Sequence, residues 1–369
     1  MKVLAYPGFS QREINPYTRL LYGSMAAEIS DFSHRRALAT RHDIFHLHWP
    51  EWELNSISNP IEAALRLRLK LLLIDLIRAN GTKVIWTAHN LKAHDGLHPK
   101  LERWFWNAFT KRVDGYIALT ESGRVAAKEH FPNLERVSGY VVNHGHYRDE
   151  YPHDSSEDAR EELGLSRSAR VALFFGQIRE YKNVPTLIRE FSKVEGEVVL
   201  CIAGKPNSEQ LADQLKAASA ADSRVCLHLQ TIPTPKVGLF LRASDLVVLP
   251  YRDIFNSGSA LLALSFSRPV LVPDRGAMSE LRSKVGPDWV RTFDGEVDSM
   301  DLTQALEWAC SGSRATEAPL GELAWPKLAE QTLRAYEDVI ARSSRARLHN
   351  SPSTYAPRPA LGTTQLKEK

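Results

Sequence analysis

The chain has 369 residues, of which 43% are apolar and 25% charged, with a net charge of +3. That length exceeds one ordinary core and fits two domains of about 150 residues. The composition excludes a fibrous or wholly disordered chain, and so weak a net charge gives no footprint for a nucleic acid.

Taken in chain order, the sequence alternates short β-rich apolar runs with longer helical patterns. The N-terminus, MKVLAYPGFSQRE, has no apolar core of signal-peptide length. It holds the first strand, 2–6, and leads through a glycine-containing loop to Asn15, Pro16 and Tyr17. Further strands are expected at 43–49, 83–89, 115–120 and 139–145. Between the second and third lies IEAALRLRLKLLLIDLI, broken by Glu62, Arg66, Arg68, Lys70 and Asp75. A spanning helix needs roughly 20 mostly apolar residues, so a surface helix is expected instead. PKLERWFWNAFTKR follows, with Trp104, Phe105, Trp106 and Phe109 among cations. Aromatics mixed with cations suit the headgroup layer of an anionic membrane, and they equally suit a helix packed on a sheet with a solvated basic edge.

The polar segment 151–164 reads as the domain boundary, with a helix starting at Ser155 or Ser156. The second half repeats the alternation, with strands expected at 170–178, 198–204, 224–229, 246–251, 269–274 and 288–293. Continuous Val/Ile/Leu runs between helices imply parallel strands covered on both faces. The expectation is therefore α/β: two doubly wound Rossmann-like domains facing a cleft, at 1–150 and 165–325. A C-terminal helix at 326–343 follows, then a disordered tail at 344–369. Cys201, Cys226 and Cys310 have neither metal spacing nor a disulfide framework, which points to a reduced, cytoplasmic setting.

In open α/β sheets ligands bind beyond the carboxyl ends of the strands, so those ends are the residues to read. In the second half, Gly176 permits a close turn, and Arg179 and Lys182 place two cations before a helix. An arginine fork and a lysine point charge suit a diphosphate. Asn256, Ser257, Gly258 and Ser259 precede the helix SALLALSFS, whose free amides favour an anion. The same residues also serve as an ordinary helix cap. In the first half, His46, His48, Trp49 and Glu51 end one strand, and His89, His94 and Asp95 follow another. His46 reads as a core histidine, whereas His48 and His89 are cleft candidates. No spacing resembles a zinc site, so no metal or other cofactor is expected. His146 and Arg148 sit at the crossing between domains, where they can touch donor phosphate or pack the hinge.

The pieces FFGQIREYKNVPTLIREF, CIAGKP, ASDLVVLPY and NSGSALLALSFSRPVLV resemble the C-terminal domain of glycosyltransferases with the B-type fold. The resemblance implies a nucleotide-sugar donor. Lys182 falls at that family's diphosphate-binding lysine; its usual arginine falls at Gln177, with Arg179 as substitute. Many retaining members carry two glutamates at the positions of Ile254 and Leu262. Their absence here points to inversion. NPYTRLLY, DIFHLHWPEW, TAHNLKAH and HGHYRD in the first half resemble bacterial β-mannosyltransferases of exopolysaccharide assembly. That likeness implies GDP-mannose as donor and a lipid-linked oligosaccharide as acceptor, at the inner face of the plasma membrane. Inversion needs a base on the acceptor side. Asp95 and Glu51 are the candidates, with His89 and His94 behind them, and Asn15, Tyr17, His48 and Trp49 are expected to line the acceptor cleft.

Overall fold

The computed structural model describes residues 1–10, 16–92, 97–151, 156–312 and 314–349. Asn15, His94, Asp95 and the tail from residue 350 lie outside the described residues.

The first sheet is built from β1 (Lys2–Tyr6), β2 (Glu28–Asp31), β3 (Ile44–Leu47), β4 (Lys83–Ala88), β5 (Gly115–Ala118) and β6 (Ser138–Val141). The second is built from β7 (Arg170–Phe175), β8 (Val198–Ala203), β9 (Val225–His228), β10 (Leu246–Val248), β11 (Val270–Pro273) and β12 (Val290–Phe293). Their orders are β2-β1-β3-β4-β5-β6 and β12-β11-β10-β7-β8-β9. Every pairing is parallel. The continuous apolar runs follow from this layering, since β5 and β11 are buried at each residue. Only β2 goes beyond the expected strands. Its sequence, EISD, is short, polar and half-buried, because it pairs with β1 alone at the sheet edge.

One face of the first sheet packs Leu4, Phe45 and Trp86 against Leu67, Leu71 and Ile74 of the Pro60–Ala79 helix, and against Phe105, Trp106 and Phe109 of the Pro99–Thr110 helix. The opposite face packs Val3, Ile44 and Ile85 against Tyr17 and Leu21, and against Tyr336 and Val339. The last two belong to the Trp325–His349 helix. The chain therefore crosses back after the second domain and finishes the core of the first. That helix also corrects the expected stop at 343. Residues 344–349, SRARLH, contain neither glycine nor proline, and nothing in them breaks a helix before Pro352.

Each sheet reverses its winding at one place, between β1 and β3 in the first and between β7 and β10 in the second. At such a switch point adjacent strand-end loops diverge and leave a crevice. The loops after β1, β3, β7 and β10 are thus the ones placed to hold ligands.

The second crevice depends on two backbones in near contact. A Cβ on Gly204, just after β8, would stand 1.9 Å from the carbonyl oxygen of Gly176. Gly204→Ala is expected to cost about 2–3 kcal/mol, because backbone must move rather than a side-chain tip. Urea unfolding of the variant beside the wild type measures it.

Candidate active site

The loop after β7 carries Gly176 at φ 122°, a conformation suited to glycine. A Cβ there would lie 3.0 Å from Ser259 Oγ and 3.6 Å from Lys182 Nζ. The glycine, the hydroxyl and the ammonium therefore meet at one point. Ser259 stands in the first turn of the Gly258–Ser265 helix, which has no acidic residue in that turn. The Ser257 side chain accepts from Ala260 N at 3.2 Å and caps this helix. The capping role expected as the alternative is thus real, and it leaves the first helical amides without intrahelical acceptors. Lys182 is only 8% exposed. Its ammonium lies over the rings of Tyr251 and Phe174, at 5.4 and 5.9 Å. Burial, helped by nearby Arg179, lowers its pKa to about 8. No ion pair among the described residues neutralises it. A buried cation, a hydroxyl and free amides pointing into one crevice form a seat for a strong anion.

Across the crevice, β3 and β4 deliver the residues expected on the acceptor side. Trp49 stacks on His89 with ring centroids 4.4 Å apart. Behind His89 runs a buried hydrogen-bonded chain. His89 Nε2 is 3.0 Å from His48 Nδ1, and His48 Nε2 is 2.7 Å from the Tyr22 hydroxyl. The hydroxyls of Tyr22 and Tyr336 lie 2.9 and 2.6 Å from His46 Nδ1, while His46 Nε2 meets Thr87 Oγ1 at 2.7 Å. An assignment that gives every contact a proton has His46 Nδ1–H shared between the Tyr22 and Tyr336 hydroxyl oxygens, Thr87 donating to His46 Nε2, Tyr22 donating to His48, and His48 donating to His89. Burial pushes His46 down to about 3 and holds His48 and His89 well below the usual imidazole range, so all three are neutral at pH 7.

Glu51 follows β3 and is 2% exposed. Asn90 Nδ2 donates to its carboxylate at 3.3 Å. Burial raises its pKa to about 7, against the smaller opposing pull of Asn90 and Lys70. The two sides are tied directly. Asn256 Nδ2 donates to His89 O at 3.1 Å. Glu280 accepts the amides of Glu121 and Ser122, at 2.9 and 2.6 Å, and so caps a helix of the opposite domain. Lys284 Nζ meets Asn143 Oδ1 at 2.5 Å.

This geometry agrees with what the chain is similar to. The family profile "Glycosyl transferases group 1" matches residues 169–307, the domain with the anion seat. The GDP-mannose:glycolipid 4-beta-D-mannosyltransferase of Xanthomonas campestris pv. campestris is 33% identical over 340 residues, covering 90% of this chain and 91% of that protein. The chain belongs to the group 1 glycosyltransferases. Anabaena HepE, solved in complex with UDP-glucose, shares the fold at TM-score 0.59 and 14% identity, over 95% of this chain and all of that one (100%). WaaG, a glycosyltransferase involved in lipopolysaccharide biosynthesis, does so at TM-score 0.57 and 14% identity, over 96% of this chain and 100% of its own. The fold is the two-domain B-type fold of glycosyltransferases.

Several expected site residues of this glycosyltransferase occupy other places. Tyr17 packs edge-on against the His89 ring and His48 is hydrogen-bonded behind it, so they form the floor beneath the cleft rather than its lining. Tyr17 sits edge-on to His48, His89, His144 and Trp325. Arg148 pairs with Glu317 at 3.3 Å and also donates to Ala318 O, so it serves as a hinge tie. The His146 carbonyl accepts from Trp325 Nε1 at 2.7 Å in the same hinge. Asn15, His94 and Asp95 fall outside the described residues. Two residues the sequence did not single out matter here. Tyr251 backs Lys182 and interacts with the hydroxyls of Ser257 and Ser259. Glu280 closes the domains together. The only signal for Tyr251 was its place at the end of β10; Glu280 left none.

The Glu51 carboxyl holds its proton more tightly folded than unfolded. It therefore contributes stability at low pH, which is lost as pH rises from about 4.5 through 7. Glu51→Gln should match the wild type near pH 4.5 and exceed it by up to ~3 kcal/mol above pH 7. Urea unfolding at about pH 4.5, 6 and 8 reads the difference; a constant offset would contradict it.

Proposed function

We propose that the protein is an inverting mannosyltransferase that moves mannose from GDP-mannose to a lipid-linked saccharide at a membrane surface. The observation that carries the chemistry is the seat formed by Lys182, Ser259 and the 258–259 amides, which no carboxylate among the described residues neutralises. The Xanthomonas relative, with its coverage of nearly the whole chain, supports the sugar and the acceptor class; a role in exopolysaccharide assembly rests on the resemblance of the first-half motifs alone.

Transfer is a single in-line displacement. The acceptor hydroxyl oxygen attacks the anomeric carbon, the bond from that carbon to the diphosphate oxygen breaks, and the hydroxyl proton passes to a base. Negative charge builds on the leaving diphosphate, where Lys182 and the helix amides are already oriented and Arg179 lies nearby. An incoming diphosphate favours the charged form of Lys182, whose pKa burial has lowered. Glu51 is the base we favour. It stands on the acceptor side, and a pKa of about 7 lets it be ionised at working pH yet still basic. Leu262 stands where retaining relatives carry a glutamate, so the donor side offers no carboxylate there to assist retention. His89 and Trp49 present aromatic faces for the acceptor sugar.

Membrane contact falls to the Pro60–Ala79 helix. Ala63, Leu67, Leu71, Ile74 and Ile77 face the core, while Ile61, Leu65, Leu69, Leu72 and Leu76 are 46–80% exposed. A helix apolar on both sides carries an outer stripe that water does not favour. Arg68 and half-exposed Trp104 flank it, with the guanidinium 5.7 Å from the ring. The other aromatics expected at this surface, Phe105, Trp106 and Phe109, are buried in the core instead. Among the described residues no helix is long and apolar enough to cross a membrane.

Two experiments test this. The first offers membrane glycolipid and a panel of GDP- and UDP-sugars, with and without chelator. Transfer from GDP-mannose is expected, with a β linkage and no loss on chelation. Lys182→Ala should lower kcat about 10²–10³-fold, and Glu51→Gln about 10²–10⁴-fold. Near-normal turnover by Glu51→Gln, with loss in Asp95→Asn, moves the base to Asp95. In the second, Leu72→Asp combined with Leu76→Asp should abolish sedimentation with anionic vesicles while leaving the fold intact by circular dichroism.

A further inference from the structure

Cys201 and Cys226 stand apart in the sequence but side by side in the second sheet. They are register partners on the parallel strands β8 and β9, so their side chains leave the same face. The row across that face runs Val247, Leu173, Cys201, Cys226. Neighbouring strands lie roughly 4.8 Å apart, within the Cα separation of about 4.4–6.8 Å that a disulfide spans. Both thiols are free. Cys201 is 2% exposed, whereas β9 is the edge strand and Cys226, like every residue of it, is half-buried. One cysteine is therefore open to solvent and the other is sealed beside it. The Cys201 thiol, against the opposing effect of burial, lowers the Cys226 pKa to about 7, while Cys226 and burial together hold Cys201 well above the usual thiol range. Among the described residues no third ligand joins the pair to hold a metal ion. Spacing in the sequence gave no sign of this pair, because strand register sets it.

We propose that Cys226 and Cys201 form a hydroperoxide-sensitive dithiol, in which Cys226 is the attacking thiol and Cys201 the resolving one. In the first step the Cys226 thiolate attacks a peroxide oxygen. The O–O bond breaks, and Cys226 becomes a sulfenic acid as hydroxide or alkoxide leaves. In the second step the Cys201 sulfur attacks the Cys226 sulfur. The S–S bond forms, the S–O bond breaks, and the Cys201 proton leaves with the hydroxide as water. Two electrons pass from the thiols to the peroxide, and a small thiol reductant returns them. The order of attack follows from access, because a peroxide reaches a half-buried sulfur at a sheet edge before one that is 2% exposed. Thiolate character at neutral pH acts in the same direction. Closure is compatible with the fold, since β9 is paired on one side only and is free to adjust toward β8. Neither thiol has a part in the proposed sugar transfer, so the site stands or falls by itself.

The test uses the full chain carrying Cys310→Ser, which removes the remaining thiol. The folded protein is treated with hydrogen peroxide, quenched, and denatured in N-ethylmaleimide before peptide mass mapping. A disulfide joining Cys201 to Cys226 within one chain is expected, and dithiothreitol should return both thiols. Cys201→Ala should leave Cys226 as a sulfenic acid that dimedone captures. Cys226→Ser should leave Cys201 unmodified. Without peroxide, the rate of Cys226 alkylation by iodoacetamide should have its pH midpoint near 7. Cys201→Ala should raise that midpoint by about one unit or more, a shift that looser packing alone would not give. If Cys201→Ala does not fold, the mapped disulfide and the result for Cys226→Ser still decide. Survival of both thiols under peroxide, cross-linking between molecules only, oxidation of Cys201 in Cys226→Ser, or an unchanged midpoint in folded Cys201→Ala would each overturn the proposal.

Discussion

Every strand in both sheets is parallel, and the rest of the molecule depends on that constraint. A parallel pair cannot close through a tight turn; the chain must cross over, and it does so through a helix. All carboxyl ends then lie along one edge of each sheet. Where the crossover direction reverses, between β1 and β3 and between β7 and β10, the loops part. Glu51 follows β3, and Gly176 and Lys182 follow β7. Tyr251 and the 256–259 turn follow β10. The proposed chemistry sits where connectivity leaves an opening.

The two sides of that opening store opposite electrostatic imbalances. On the donor side burial leaves Lys182 short of counter-charge and eases off its proton. On the acceptor side burial leaves Glu51 reluctant to lose one. Both effects come from removing water, and both fit a reaction that brings a diphosphate to one side and releases a proton on the other. The histidines between them take no part in this imbalance. Held neutral by burial and joined to tyrosine and threonine hydroxyls, they form a rigid polar floor under Trp49 and His89.

That floor also connects the domains. Tyr336, from the helix that returns after the second domain, completes the hydrogen bonding of His46. Trp325 in the same helix fills the space that a Cβ on Gly145 would need, 2.4 Å from its ring. Asn256 links the donor turn to the His89 carbonyl, and Glu280 caps the Glu121–His130 helix from the opposite domain. The cleft is therefore spanned by short polar ties that a change in domain angle would stretch or break.

By itself the sequence determined the layering and picked out the residues of the proposed donor seat. Continuous Val/Ile/Leu runs have one stable home, between helices in a parallel sheet, and a glycine, a lysine and a capped helix start declare themselves by residue type. The edge strand Glu28–Asp31 escaped because a strand open to water on one side carries no such run. Tertiary structure alone decided which neighbours became floor and which became surface. His48, Trp49 and Glu51 stand within four positions of one another, yet one is sealed under Tyr17, one stacks on His89, and one is buried as an acid. It also decided that the leucines of the Pro60–Ala79 helix divide between core and surface, and that Trp106 belongs inside. Those outcomes turn on contacts between residues far apart in the chain, and local spacing holds no record of them.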